Sequence, residues 1–91
     1  PHNGEFVLIA NVGAQPVDLE GWSLEDPART RITLPPGYTI SPSGRLRVYS
    51  GPGVNTADRF YAGRRRAMLN NRGDRIALRD ARGIVRQIFE Y

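Results

Sequence analysis

Arginine is the residue in this chain best suited to contact chemistry. All 13 basic residues are arginines and lysine is absent. A guanidinium keeps its charge at any working pH and meets a carboxylate or phosphate in two-pronged fashion. The charge is unevenly spread. From residue 59 onward, nine arginines stand against three acids, a balance of +6; over residues 1–58, four arginines stand against six acids, a balance of −2. Arg64, Arg65 and Arg66 run consecutively, close to Arg59, Phe60 and Tyr61. Arginine beside aromatic rings is a composition that contacts phosphates and stacks on bases. Arg45 and Arg47 alternate along one stretch, and Arg75 and Arg79 recur along another. If those two stretches pair as strands, four guanidinium groups share a face. The plainer reading of such runs is a solvated surface with salt bridges to Asp58, Asp74, Asp80 and Glu90. Exclusive use of arginine also fits a compositional habit of the source. The triplet at 64–66 is where contact with a partner is expected instead.

The residues for catalysis or metal binding are thin. Cysteine is absent and His2 is the one histidine, so neither a thiolate site nor a transition-metal cluster is expected. Ser23, Ser41, Ser43 and Ser50 have no histidine placed to serve as base. The acids Glu20, Glu25, Asp26, Asp58, Asp74 and Asp80 are scattered, without the paired spacing of a carboxylate hydrolase. Asp74 and Asp80 flank one strand and could meet a calcium ion, but aspartate at such places more often holds a turn. No catalytic, cofactor-binding or metal residue is assigned, and no cofactor is expected.

The elements that carry the arginines are short strands. With 91 residues the chain suits one domain. Its 10 glycines and 7 prolines punctuate brief apolar runs, the spacing of a β-sandwich or barrel. Sustained helical periodicity is absent. Residues 5–11 form the first strand, apolar on both faces (Phe6 and Leu8 against Val7 and Ile9), the pattern of a central or covered strand. Residues 17–19 and 22–24 follow, the latter with Trp22 and Leu24 inward. Residues 29–34 place Ile32 and Leu34 inward, and residues 39–40 lead into a turn. Residues 45–50 point Leu46 and Val48 in, Arg45 and Arg47 out. A long irregular stretch over 51–66 holds a short strand at 59–61. Residues 75–80 turn Ile76 and Leu78 inward, and Gly83 closes a hairpin into a last strand over 84–91. In that last strand Val85 and Phe89 share one face and Ile84 and Ile88 the other, so its inward phase stays open. The expected core is Val7, Ile9, Trp22, Leu24, Ile32, Leu46, Val48, Ile76 and Leu78, with Trp22 as its one large anchor.

Three motifs in this order resemble the lamin tail domain. The first is the strand 5–11 ending in Asn11, followed by Pro16-Val17-Asp18-Leu19-Glu20-Gly21-Trp22-Ser23-Leu24. The second is Leu34-Pro35-Pro36-Gly37 with Ile40-Ser41-Pro42-Ser43-Gly44. The third is Leu69-Asn70-Asn71-Arg72-Gly73-Asp74-Arg75-Ile76-Ala77-Leu78-Arg79-Asp80, with Gly83 and Tyr91 after it. The resemblance spans nearly the whole chain and is carried best by the Gly21-Trp22 pair together with the Gly73-Asp74 hairpin. It implies an all-β, immunoglobulin-like antiparallel β-sandwich of short strands forming one domain over residues 1–91. Family members usually begin with one more strand before the Glu5 position, so the domain is expected to be trimmed there or open at that edge, and an open edge invites strand addition. The family contributes no catalytic residues. Its bacterial members look like accessory modules beside secreted or surface enzymes, which favours a secreted or cell-surface setting and a bacterial source.

Two functions follow as expectations. The first is a non-catalytic interaction module that binds a protein partner, or tethers a neighbouring enzyme or surface assembly. The second is a nucleic-acid-binding module acting through the arginine-rich second half. No apolar run approaches the roughly 20 residues of a membrane helix, so membrane insertion is not expected. Association of copies edge to edge is the third reading.

Overall fold

A computed structural model describes residues 6–27, 30–63 and 75–90. Strands come in the order β1 (Phe6–Ala10), β2 (Val17–Asp18), β3 (Ser23–Glu25), β4 (Arg31–Thr33), β5 (Thr39–Ile40), β6 (Arg45–Tyr49), β7 (Arg59–Tyr61), β8 (Arg75–Arg79) and β9 (Val85–Glu90). They form a three-stranded sheet β1-β6-β7, a four-stranded sheet β4-β3-β8-β9 and a small β2-β5 pair. Among the described residues there is no helix, and so none long and apolar enough to cross a membrane.

Alternation decides which residues fill the space between the sheets. Val7 and Ile9 of β1 and Leu46 and Val48 of β6 come from one sheet; Leu24, Ile32, Ile76 and Leu78 come from the other, and all join one buried cluster with Leu19, Leu34, Tyr38 and Ile40. Inner faces that meet in one core make a two-layer sandwich. Leu19, Leu24, Leu34, Leu46 and Ile76 are the largest side chains shut completely away from solvent, each worth about 1.5–3 kcal/mol of burial.

Four expectations need correction. Trp22 packs against the core but is only partly buried. It stands just ahead of β3, where the sandwich opens, and the Arg86 guanidinium lies over its ring at 5.4 Å. The enclosed anchors are four leucines and Ile76, not the indole. Second, the outer face of β1 is left open, with Phe6 and Leu8 40% and 36% exposed instead of covered, and among the described strands β1 pairs with β6 alone. Third, the sandwich is not wholly antiparallel. Residues 50–58 carry the chain back along the sheet before β7 begins, and β7 therefore lies parallel to β6, with Arg47 beside Arg59 and Tyr49 beside Tyr61.

The fourth correction concerns the arginine strands. β6 and β8 belong to different sheets. Their outward residues, Arg45 and Arg47 on one and Arg75 and Arg79 on the other, sit on opposite outer faces of the sandwich and do not form one group of four.

The phase of β9 is settled by a β-bulge. Ile76 opposes Phe89 and Leu78 opposes Gln87, but Arg79 opposes Val85, which leaves Arg86 as the extra residue. Phe89 accordingly packs on the core, while Val85 and Ile88 are 42% and 45% exposed. A bulge re-aims the side chain it inserts, and here that side chain is Arg86, set over Trp22. At the hairpin tip Gly83 takes φ 83°, a left-handed conformation that glycine adopts without a Cβ clash.

Candidate functional site

The outer face of the β1-β6-β7 sheet carries a cluster that alternation and register build together. Residues facing away from the core are Phe6, Leu8 and Ala10 on β1, Arg45, Arg47 and Tyr49 on β6, and Arg59 and Tyr61 on β7. Pairing sets Leu8 beside Arg47, Arg47 beside Arg59, and Phe6, Tyr49 and Tyr61 in one row. No carboxylate occurs on these three strands. Arg45, Arg47 and Arg59 are exposed, and none of them forms an ion pair among the described residues.

The aromatic row is a packed unit. Tyr49 stacks on Tyr61 with ring centroids 4.4 Å apart, and Phe6 lies tilted against Tyr49 at 5.3 Å. Tyr49 is only 7% exposed although it faces outward. The Arg47 guanidinium sits 5.1 Å from the Phe6 ring centre, a cation–π contact that holds the charge over the patch. The Arg59 pKa is pushed up, first by a side-chain hydrogen bond with Tyr61 and further by charge interactions with Tyr49, Tyr61 and Asp58. The loop after β6 closes on the row: Gly53 packs so tightly on the Tyr61 ring that a Cβ there would overlap it, and the Asn55 side chain accepts from the Tyr61 amide at 2.8 Å.

Beneath the face, Tyr38 fixes β7. Its hydroxyl donates to the Arg59 carbonyl at 2.9 Å, and its ring meets Phe60 edge-on at 5.6 Å. Burial pushes the Tyr38 pKa up, so the hydroxyl keeps the proton it donates. Phe60, named from the sequence as a contact residue, instead points inward and packs against the core.

A family model described as Lamin Tail Domain matches residues 1–91, the whole chain. The chain belongs to the lamin tail domain family. A search of the curated proteins finds no match. The all-β sandwich is that of the immunoglobulin-like lamin tail domain, a module that is generally non-catalytic and serves interaction.

On the opposite outer face of this lamin tail domain the charges are spent on each other. Glu25, on β3, receives Arg31 and Arg79 at 3.1 Å each. The Arg31 hydrogen bond, aided by Arg79 and opposed by burial, holds the Glu25 carboxyl below its ordinary range. Arg79 also donates to the Gly83 carbonyl at 2.9 Å. Arg79 therefore ties β3 to the β8-β9 hairpin; of the acids named from the sequence as salt-bridge partners, Asp80 does pair, with Arg86 at 3.3 Å, and Glu25 joins it as a partner the sequence reading did not name. Arg75 occupies the same outer face on β8. Arg64, Arg65 and Arg66 lie outside the described residues.

Of the candidate contact residues, the lamin tail domain thus brings Arg45, Arg47, Arg59 and Tyr61 together, turns Phe60 inward and places Arg75 and Arg79 elsewhere. Sequence reasoning missed Phe6, Leu8 and Tyr49 as members of the face. Their signal was present: a first strand apolar on both sides, and the alternation Arg45, Arg47, Tyr49. The pairing of β6 with β7 supplied the missing piece.

Proposed function

We propose that this lamin tail domain is a docking module that binds an acidic partner protein through the outer face of β1-β6-β7. The observation that carries the reading is the convergence of Arg45, Arg47 and Arg59 with exposed Phe6 and Leu8 on three strands that carry no carboxylate. Arginine and aromatic side chains dominate interface hot spots because they combine area with directed polar contact. Joined to an enzyme or a surface assembly, such a face serves as a tether.

Nucleic acid is the second reading, favoured by the same three guanidinium groups. The packing of the aromatic row weighs against base stacking: Tyr49 is 7% exposed and Tyr61 is flanked by Tyr49 and Gly53. Binding to a nucleic acid would then rest on phosphate contacts alone.

Fluorescence anisotropy separates the two. A labelled peptide of alternating glutamate and tyrosine and a labelled DNA duplex are titrated at low and high salt. Partner-protein docking predicts peptide binding that survives high salt in part, because its apolar contacts are not screened. That binding weakens when Phe6 or Leu8 becomes serine. Duplex binding that collapses with salt, without peptide binding, supports the nucleic-acid reading instead. If Arg45→Glu, Arg47→Glu and Arg59→Glu together leave peptide binding unchanged, this face is not the docking surface.

A further inference from the structure

Arg47 and Arg59 stand side by side across the β6-β7 pairing. Paired residues on neighbouring strands point to the same face, and the strands lie about 4.8 Å apart. Like charges set directly opposite one another repel. On the other outer face, Glu25 answers a comparable pair, Arg31 and Arg79. Among the described residues no carboxylate does this for Arg47 and Arg59, and neither they nor Arg45 enter an ion pair. Asp58, just ahead of β7, is the last of the influences that push up the Arg59 pKa, and its carboxylate accepts from the Thr56 hydroxyl at 3.0 Å. With Asp58 counted against Arg45, Arg47 and Arg59, the cluster keeps a balance of +2.

The two guanidinium groups are held and aimed together. Arg47 reaches over the Phe6 ring at 5.1 Å, and Arg59 is hydrogen-bonded to Tyr61. Phe6 and Tyr61 belong to one row across the sheet, joined by Tyr49. Both arginines therefore lean the same way along their strands, toward that row. The row is stacked and tilted into one unit, so the side chains it holds are preorganised.

The number of charges and oxygens selects the ligand. A carboxylate carries one charge and two oxygens, which one guanidinium satisfies in two-pronged fashion. A phosphate monoester carries close to two charges and three acceptor oxygens, enough to answer two guanidinium groups at once and to match a balance of +2. A nucleic-acid phosphate is a diester with a single charge. The apolar neighbours narrow the carrier further. Leu8 is the partner of Arg47 on the side away from Arg59, and Phe6 and Leu8 are 40% and 36% exposed. A phosphotyrosine sets an aromatic ring between backbone and phosphate, at the separation that lets the ring rest on Leu8 and Phe6 while the phosphate meets the arginine pair.

We infer that the docking face recognises a phosphorylated tyrosine of the partner protein, its phosphate between Arg47 and Arg59 and its ring on Leu8 and Phe6. The inference rests on the docking reading above and names the group that this face selects. Arg45, one pair further along β6, adds a third cation at the rim.

The probes are labelled peptides of glutamate and glycine that differ only in one central residue: phosphotyrosine, sulfotyrosine, phosphoserine, tyrosine or glutamate. Each is titrated against the whole chain and followed by fluorescence anisotropy. The phosphotyrosine peptide binds about tenfold or more tighter than the tyrosine, glutamate and sulfotyrosine peptides, the last because a sulfate ester carries one charge. The phosphoserine peptide falls between, since it lacks the ring. Arg47→Gln with Arg59→Gln removes the preference, and Arg47→Lys with Arg59→Lys retains only part of it, because an ammonium lacks the guanidinium fork. Leu8→Ser brings the phosphotyrosine peptide down to the level of phosphoserine. Phenyl phosphate displaces the phosphotyrosine peptide from the unaltered chain, a result that stands even if a variant folds poorly. Equal binding of the phosphotyrosine and glutamate peptides, or of the phosphotyrosine and sulfotyrosine peptides, overturns this inference and leaves the acidic docking face standing. No binding by any peptide overturns both. A preference that survives Arg47→Gln with Arg59→Gln places the phosphate elsewhere and overturns the site. A DNA duplex that displaces the peptide at a lower phosphate concentration than phenyl phosphate overturns it in favour of nucleic acid.

Discussion

The Tyr49 ring lies on the Tyr61 ring with centroids 4.4 Å and planes 13° apart. These residues are neighbours only because β7 runs parallel to β6, with Tyr49 opposite Tyr61. The stack removes an outward-facing tyrosine from solvent and gives the arginine-bearing face a rigid floor. Such pairs contribute about 0.5–1.5 kcal/mol beyond the area they bury.

Gly53 is where that floor is most sensitive. Any side chain there must displace the Tyr61 ring, and that ring is stacked on Tyr49. Gly53→Ala is expected to destabilise the domain by about 1–3 kcal/mol, the range for overpacking. Urea unfolding checks it; an unchanged midpoint would show that the loop over residues 51–58 yields freely.

Partial burial of the indole reverses a ranking that residue size would suggest. Leu24 is fully buried and Trp22 only partly. Leu24→Ala is expected to cost about 2–5 kcal/mol and Trp22→Ala about 2. Chemical denaturation of both variants decides the order, and a larger loss for Trp22→Ala would restore the indole as the main anchor.

Tyr38→Phe isolates one hydrogen bond. The Arg59 carbonyl that accepts from Tyr38 also accepts from the Thr56 amide at 2.9 Å, so removing the hydroxyl leaves no orphaned acceptor. A loss of about 1 kcal/mol follows. Hydrogen exchange is expected to quicken at β7 amides more than at β3 amides; the reverse would place the effect elsewhere.

Acid should weaken the domain through two carboxyls. Glu25 is held below its ordinary value of 4.5 mainly by Arg31, and by Arg79. Asp80 is held below 3.8: burial pulls it up, but the Ile84 and Arg82 amides and Arg86 together outweigh that pull. A carboxyl with a depressed folded-state pKa stabilises fully above its unfolded pKa, and that stability is lost as pH falls through the folded value. Melting temperature is therefore expected to fall below about pH 4.5, more steeply than in Glu25→Gln with Asp80→Asn. Parallel curves would mean that neither carboxyl is linked to folding.

Much of this molecule could be read from the order of its residues. Short apolar runs between glycine and proline turns specify strands, and alternation alone assigns Val7, Ile9, Leu24, Ile32, Leu46, Val48, Ile76 and Leu78 to the interior, because side chains on a strand alternate by two. The motifs around Gly21-Trp22 and over residues 69–80 pointed to the family. Which strands lie side by side is a different kind of fact, since pairing joins residues far apart along the chain and each local pattern is compatible with several partners. Only the folded sandwich puts Arg47 between Leu8 and Arg59, parts Arg45 and Arg47 from Arg75 and Arg79, and leaves Phe6 and Leu8 of an apolar first strand exposed. The inserted residue at Arg86 belongs to the same class: a single-residue shift in register turns one side chain across the sheet, and nothing in the local alternation of residues 84–91 marks where the shift falls.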